Sequence, residues 1–134
     1  MTASPLILVV DDNPAGQLLV TTVLQLDGFR VEGAGSSFDV LERLRIHIPD
    51  LILMDVQLPG QDGLSLTRQL KADPATASIR IVALTAYAMA GDREQAIAAG
   101  CVGYITKPID TRHLGEQVRG FLSAEPTEPV VAGD

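Results

Sequence analysis

At 134 residues and 46% hydrophobic content the chain is long enough for one domain with a real core and too short for a second globular unit. A formal net charge of −7 offers nothing to a polyanion, so nucleic-acid binding by this chain alone is excluded from the expected activities. The single cysteine, Cys101, rules out an internal disulfide and lies in an apolar stretch, where a thiol acts as a small buried hydrophobe. The N-terminus shows neither a basic n-region nor a long apolar h-region, and no segment approaches membrane-spanning length. A cytoplasmic chain without membrane contact is expected.

Leu6-Ile7-Leu8-Val9-Val10 is a continuous apolar run and reads as a strand buried on both faces. Pro14 suits the first position of a helix, whose apolar positions are Ala15, Leu18, Leu19, Val23 and Leu26, and Gly28 ends it. Arg30 to Ala34 is a weaker second strand, and Phe38, Leu41, Leu44 and Ile48 mark one face of a second helix closed by Pro49. Leu51 to Met54 is the third strand. A third helix starts near Asp62 with Leu64, Leu66 and Leu70, and Ile79 to Leu84 is the fourth strand. The alanine-rich Ala90 to Ala99 is the fourth helix, capped by Gly100. Val102 to Ile105 is a short fifth strand, and Leu114, Val118, Phe121 and Leu122 place a fifth helix over 111–122. Residues 124–134, with two prolines, read as a loose tail, leaving 1–123 as the domain.

Alternating strands and helices imply an α/β fold with a parallel sheet covered on both faces, because parallel strands need crossover helices. Such sheets bind ligands outside the carboxyl ends of their strands. Asp11 and Asp12 follow the first strand, Asp55 closes the third and Thr85 the fourth, while Lys107-Pro108 follows the fifth. Each has an ordinary alternative taken singly. Asp55 can cap a turn, Asp11-Asp12 can cap the first helix, Thr85 can be a plain strand residue, and Lys107 an exposed strand-end lysine. Taken together they favour chemistry. Three carboxylates at one edge repel one another unless a hard cation such as Mg²⁺ sits among them. A lysine and a hydroxyl beside them suit phosphoryl oxygens, which is what phosphoryl transfer to an ionised carboxylate requires.

The stretches Val9-Val10-Asp11-Asp12-Asn13, Asp50 through Asp55 to Gly60, Val82-Ala83-Leu84-Thr85-Ala86, and Gly100 through Lys107-Pro108 resemble the receiver domain of two-component response regulators, from Leu6 to about Leu122. The resemblance implies a flavodoxin-like doubly wound (βα)5 fold with strand order 2-1-3-4-5. It implies Asp55 as phospho-acceptor, Asp12 and Asp55 with the backbone carbonyl of Gln57 as Mg²⁺ ligands, and Asp11 as a ligand through water. Thr85 and Lys107 would bind the phosphoryl oxygens, Lys107-Pro108 would be a cis peptide, and Thr85 and Tyr104 would form a switch. Gln57 and Tyr87 stand at positions that influence how water reaches the phosphoryl group, and a bulky Tyr87 suggests slow hydrolysis.

By the same resemblance the donor is a phosphohistidine of a sensor histidine kinase or a histidine phosphotransfer protein, docking near the first helix. Output to a downstream protein, or a homodimer, would use the surface of the fourth helix, fifth strand and fifth helix, where Ala88, Met89, Ala90 and Ile97 offer apolar contacts. A stand-alone regulator is expected, with a receiver fragment of a hybrid histidine kinase as the alternative. An aspartyl-phosphate phosphohydrolase also combines Asp, Thr, Lys and Mg²⁺, but places its nucleophile on the first strand. Nucleotide or flavin binding lacks a glycine-rich loop after the first strand.

Overall fold

The computed structural model describes residues 4–58, 61–86 and 90–123. In chain order the elements are β1 (Leu6–Val10), α1 (Pro14–Leu26), β2 (Arg30–Ala34), α2 (Ser37–Ile46), β3 (Leu51–Asp55), α3 (Gly63–Ala72), β4 (Arg80–Thr85), α4 (Ala90–Ala99), β5 (Gly103–Thr106) and α5 (Leu114–Ser123). The strands form one parallel sheet in the order β2-β1-β3-β4-β5, as expected. Every residue of β1 and β3 is buried, because these central strands carry a core on each side. Leu8, Val10, Ile52, Met54 and Ile81 project into a cluster closed by α2, α3 and α4. Ile7, Val9, Leu51, Leu53 and Leu84 project into a second cluster closed by α1 and α5. Alternate residues thus enter opposite cores, so the strands read as unbroken apolar runs.

The apolar faces of two helices differ from expectation. On α1 the buried residues are Val20 and Leu24, whereas Leu18, Leu19 and Leu26 are 66%, 47% and 82% exposed. A fully buried leucine contributes about 1.5–3 kcal/mol more than one left in water, so Leu24 anchors the helix and the three exposed leucines do not. On α2, Val40 and Leu44 are buried and Leu41 is half-buried, while Phe38 faces solvent, as does Ile48 beyond the helix end.

Strand ends also shift. Asp55 and Thr85 close β3 and β4 as expected, while β4 starts one residue later than expected, at Arg80, and β5 covers Gly103–Thr106 rather than 102–105. The fifth helix begins at Leu114 rather than 111, because the Asp110 carboxylate accepts the Arg112 N–H at 3.0 Å and the Asp110 carbonyl that of His113 at 3.1 Å, closing a turn first.

Gly28 and Gly100 end α1 and α4 as expected, with φ of +93° and +112°. At each, the glycine N–H and the next N–H turn back onto helix carbonyls, Gln25 and Leu24 after α1, Ile97 and Ala96 after α4. This C-terminal motif requires the left-handed backbone that glycine adopts without strain. Cys101 is buried beside α4, and burial pushes its thiol up to about 11, which makes it unreactive. Among the described residues no helix is long and apolar enough to cross a membrane.

Candidate functional site

β1, β3, β4 and β5 end together at one edge of the sheet. Val10 pairs with Met54, Met54 with Ala83, Asp55 with Leu84, and Thr85 with Thr106. Asp11 and Asp55 therefore each stand one residue past the paired Val10 and Met54, and Lys107 follows Thr106, with its N–H donating to the Thr85 carbonyl at 2.7 Å. The Lys107–Pro108 peptide is cis.

Asp11 and Asp55 are both buried, each 4% exposed, whereas Asp12 faces solvent. Carboxylate oxygens of Asp11, Asp12 and Asp55 lie within 4.8 Å of one another. Ionised groups so placed need compensation. The two buried acids receive it in parallel fashion. Asp11 Oδ1 accepts the Asn13 N–H and Asp55 Oδ1 accepts the Gln57 N–H, both at 2.9 Å. Lys107 Nζ lies 3.1 Å from Asp55 Oδ2 and 4.0 Å from Asp11 Oδ2. Burial above all, with the neighbouring Asp55 charge, pushes the Asp11 carboxyl up, against the Asn13 N–H and Lys107, which lower it. Three carboxylates against one ammonium leave excess negative charge. The donors are all hard oxygens, a set suited to Mg²⁺ or a similar cation rather than to a softer metal.

The helix-cap alternative for the Asp-Asp pair does not hold. Asn13 caps α1, its Oδ1 accepting the N–H groups of Ala15 at 2.9 Å and Gly16 at 3.2 Å. Both aspartates are released from that role. For Asp55 the turn alternative is half realised, since one carboxylate oxygen closes a turn on Gln57 while the other faces Lys107.

Thr85 and Tyr104 sit together beside this cluster. With Gln57 they line a small cavity of about 60 Å³ between the sheet and α4. Both are half-buried, and Tyr104 packs against the α2–α3–α4 core. Of the residues singled out from the sequence, Tyr87, Ala88 and Met89, with Pro59, Gly60 and the tail 124–134, lie outside the described residues.

Three residues that position the site were not foreseen. A Cβ on Gly63 would lie 2.1 Å from the Asp55 carbonyl oxygen, and the Gly63 N–H donates to the Val56 carbonyl at 2.8 Å, so α3 begins directly against the backbone of Asp55 and Val56. A Cβ on Gly16 would lie 2.7 Å from Asp11 Oδ2. Gln17 Nε2 donates to the carbonyls of Asp11 and Ala34, both at 3.1 Å, tying α1 to the ends of β1 and β2. Glycine within the first turn of a helix costs stability, and that was the available signal for Gly16 and Gly63. Gln17 gave none.

The sequence model of the response regulator receiver domain matches residues 7–119. The polar-differentiation response regulator DivK of Brucella ovis is 37% identical over 116 residues, covering 87% of this chain and 94% of the relative. The receiver domain of sensor histidine kinase PA1611 from Pseudomonas aeruginosa, solved with a magnesium ion coordinated in its active-site cleft, is 34% identical with a TM-score of 0.81, covering 91% of this chain and all of that one. A putative response regulator from Chloroflexus aurantiacus is 29% identical with a TM-score of 0.85, covering 90% of this chain and 99% of that one. With five parallel strands ending on an acidic cluster and a directed lysine, the chain belongs to the response regulator receiver domains, regulatory modules of two-component signalling.

Proposed function

We propose that Asp55 accepts a phosphoryl group from a phosphohistidine in a Mg²⁺-dependent reaction, and that the modified site signals by protein contact. The observation that carries this reading is Lys107 Nζ at 3.1 Å from Asp55 Oδ2, within a cluster of three carboxylates. The Asp55 carboxylate is the nucleophile. As its oxygen bonds to phosphorus, the bond from phosphorus to the histidine nitrogen breaks and the electron pair stays on the imidazole. No general base is needed, because the carboxylate attacks already ionised.

Asp11, Asp12 and Asp55, with the backbone carbonyl of Gln57, would hold the cation, and the magnesium in the Pseudomonas receiver supports that assignment. When bound, the cation neutralises charge on the phosphoryl oxygens. Lys107 supplies a second positive charge, exchanging its Asp55 contact for a phosphoryl oxygen, and the Thr85 hydroxyl donates a hydrogen bond to another. Thr85 and Tyr104 then relay the change to the surface of α4, β5 and α5, where a downstream protein or a second copy binds.

The donor is a sensor histidine kinase or a histidine phosphotransfer protein, docking at α1, and the reaction takes place in the cytoplasm. A second arrangement, in which this receiver is one part of a hybrid histidine kinase, is supported by the 34% identity to a kinase receiver. Incubation with Mg²⁺ and acetyl phosphate followed by peptide mapping tests the chemistry. The expected result is one phosphoryl group on the segment carrying Asp55, lost when the metal is chelated. An unmodified protein, or a group on another segment, overturns the reading.

A further inference from the structure

Tyr104 pairs in register with Ala83 of β4, whose side chain lies in the core covered by α2, α3 and α4. Its ring is therefore directed beneath α4. From that helix Arg93 places its guanidinium carbon 5.2 Å from the ring centroid, within the range of a cation–π contact. The two side chains line the same cavity of about 60 Å³, which reaches Thr85 and has room for water or for part of a moving side chain, not for a substrate. Arg93 makes no ion pair with a described carboxylate that would draw the guanidinium off the ring. Among the described residues α4 enters the core only through Ala96 and Ala99. Two methyl groups bury little apolar area, and the stacked arginine adds a further contact between α4 and β5.

We propose that Arg93 is a positioning residue for Tyr104, holding the ring at the cavity beside Thr85 and so setting how readily the ring responds when Asp55 is phosphorylated. This rests on the coupling of Thr85 to Tyr104 proposed above. A contact made in the resting arrangement and lost in the phosphorylated one opposes phosphorylation by its own free energy. For a cation–π pair between an exposed arginine and a half-buried ring that corresponds to roughly a 2- to 10-fold shift in the equilibrium.

The chain has two tyrosines and no tryptophan, so in a Tyr87→Phe background tyrosine emission reports Tyr104 alone. In that background Arg93, Arg93→Lys and Arg93→Met are compared during titration with acetyl phosphate and Mg²⁺, with uptake read by mass spectrometry. Arg93 is solvent-exposed, so the substitutions leave the core intact. Arg93→Met is expected to change Tyr104 emission and its quenching by acrylamide before any phosphate is added. It should also lower the half-saturating acetyl phosphate concentration roughly 2- to 10-fold, and Arg93→Lys should restore most of both. Equal emission and equal half-saturation in the Arg93 and Arg93→Met chains, with normal uptake, overturn the role of Arg93 alone. Uptake without any change in Tyr104 emission overturns the Thr85–Tyr104 coupling as well. No uptake overturns the proposed function itself.

Discussion

Lys107 Nζ stands 3.1 Å from Asp55 Oδ2 and 4.0 Å from Asp11 Oδ2, so one ammonium on the loop after β5 partly neutralises two buried acids from β1 and β3. In Lys107→Met the acids lose that charge, and a divalent cation meets a more negative site. Isothermal titration should show Mg²⁺ binding tightened by roughly tenfold, while stability in a chelator falls. Weaker Mg²⁺ binding in this variant would mean that Lys107 organises the metal site rather than competing with it.

Asp12 is the exposed member of the cluster and has no described hydrogen-bond partner to lose. Asp12→Asn should therefore be as stable as wild type without metal, or more so, since it removes one of three like charges. Wild type in Mg²⁺ at ten times its dissociation constant should gain about 1.4 kcal/mol, or roughly 5 °C in melting temperature. The variant should gain little of this at the same concentration. Thermal melts with and without chelator give both numbers.

Gly63 lies where a Cβ would meet the Asp55 carbonyl oxygen at 2.1 Å, and that atom is backbone and cannot swing aside. Replacing glycine by alanine ordinarily gains about 0.4–1 kcal/mol, but overpacking costs about 1–3 kcal/mol and wins here. Gly63→Ala should lower urea-unfolding stability by about 1–2 kcal/mol. Gly120→Ala in α5, where an added Cβ meets nothing within 4 Å, is the control and should be neutral or stabilising.

Ahead of α5, His113 Nδ1 lies 2.8 Å from Asp110 Oδ2, and that hydrogen bond with the attached charge raises the imidazole's pKa. The protonated ring is favoured in the folded state. Its contribution is fully present below the ordinary histidine value of about 6.5 and is lost as pH rises through the higher folded value. NMR titration of the His113 ring should give a midpoint above the ordinary histidine value, and Asp110→Asn should return it toward that value.

The strands and the acid cluster were legible in the sequence because buried parallel strands are written as unbroken apolar runs, and because residues at their carboxyl ends meet only if the sheet is parallel. The helices were less legible. Ala15, Leu18, Leu19 and Leu26 fit helical spacing as well as Val20 and Leu24 do, and periodicity alone does not choose which face meets the sheet. Phe38 misled in the same way on α2. The start of α5 was displaced by the Asp110 turn, a local bond that competes with helix. Asn13, rather than either aspartate, proved to be the cap of α1, and only hydrogen-bond geometry separates the three. Gln17 acts by tying the Asp11 and Ala34 carbonyls together, a contact that no local pattern reports.

Intact-mass measurement of wild type and Asp55→Asn, each incubated with Mg²⁺ and acetyl phosphate, tests the central claim most directly. Wild type should gain a single phosphoryl group and Asp55→Asn none, because the amide has no ionised oxygen to attack phosphorus. A phosphoryl group retained in Asp55→Asn would contradict the assignment of Asp55 as the acceptor.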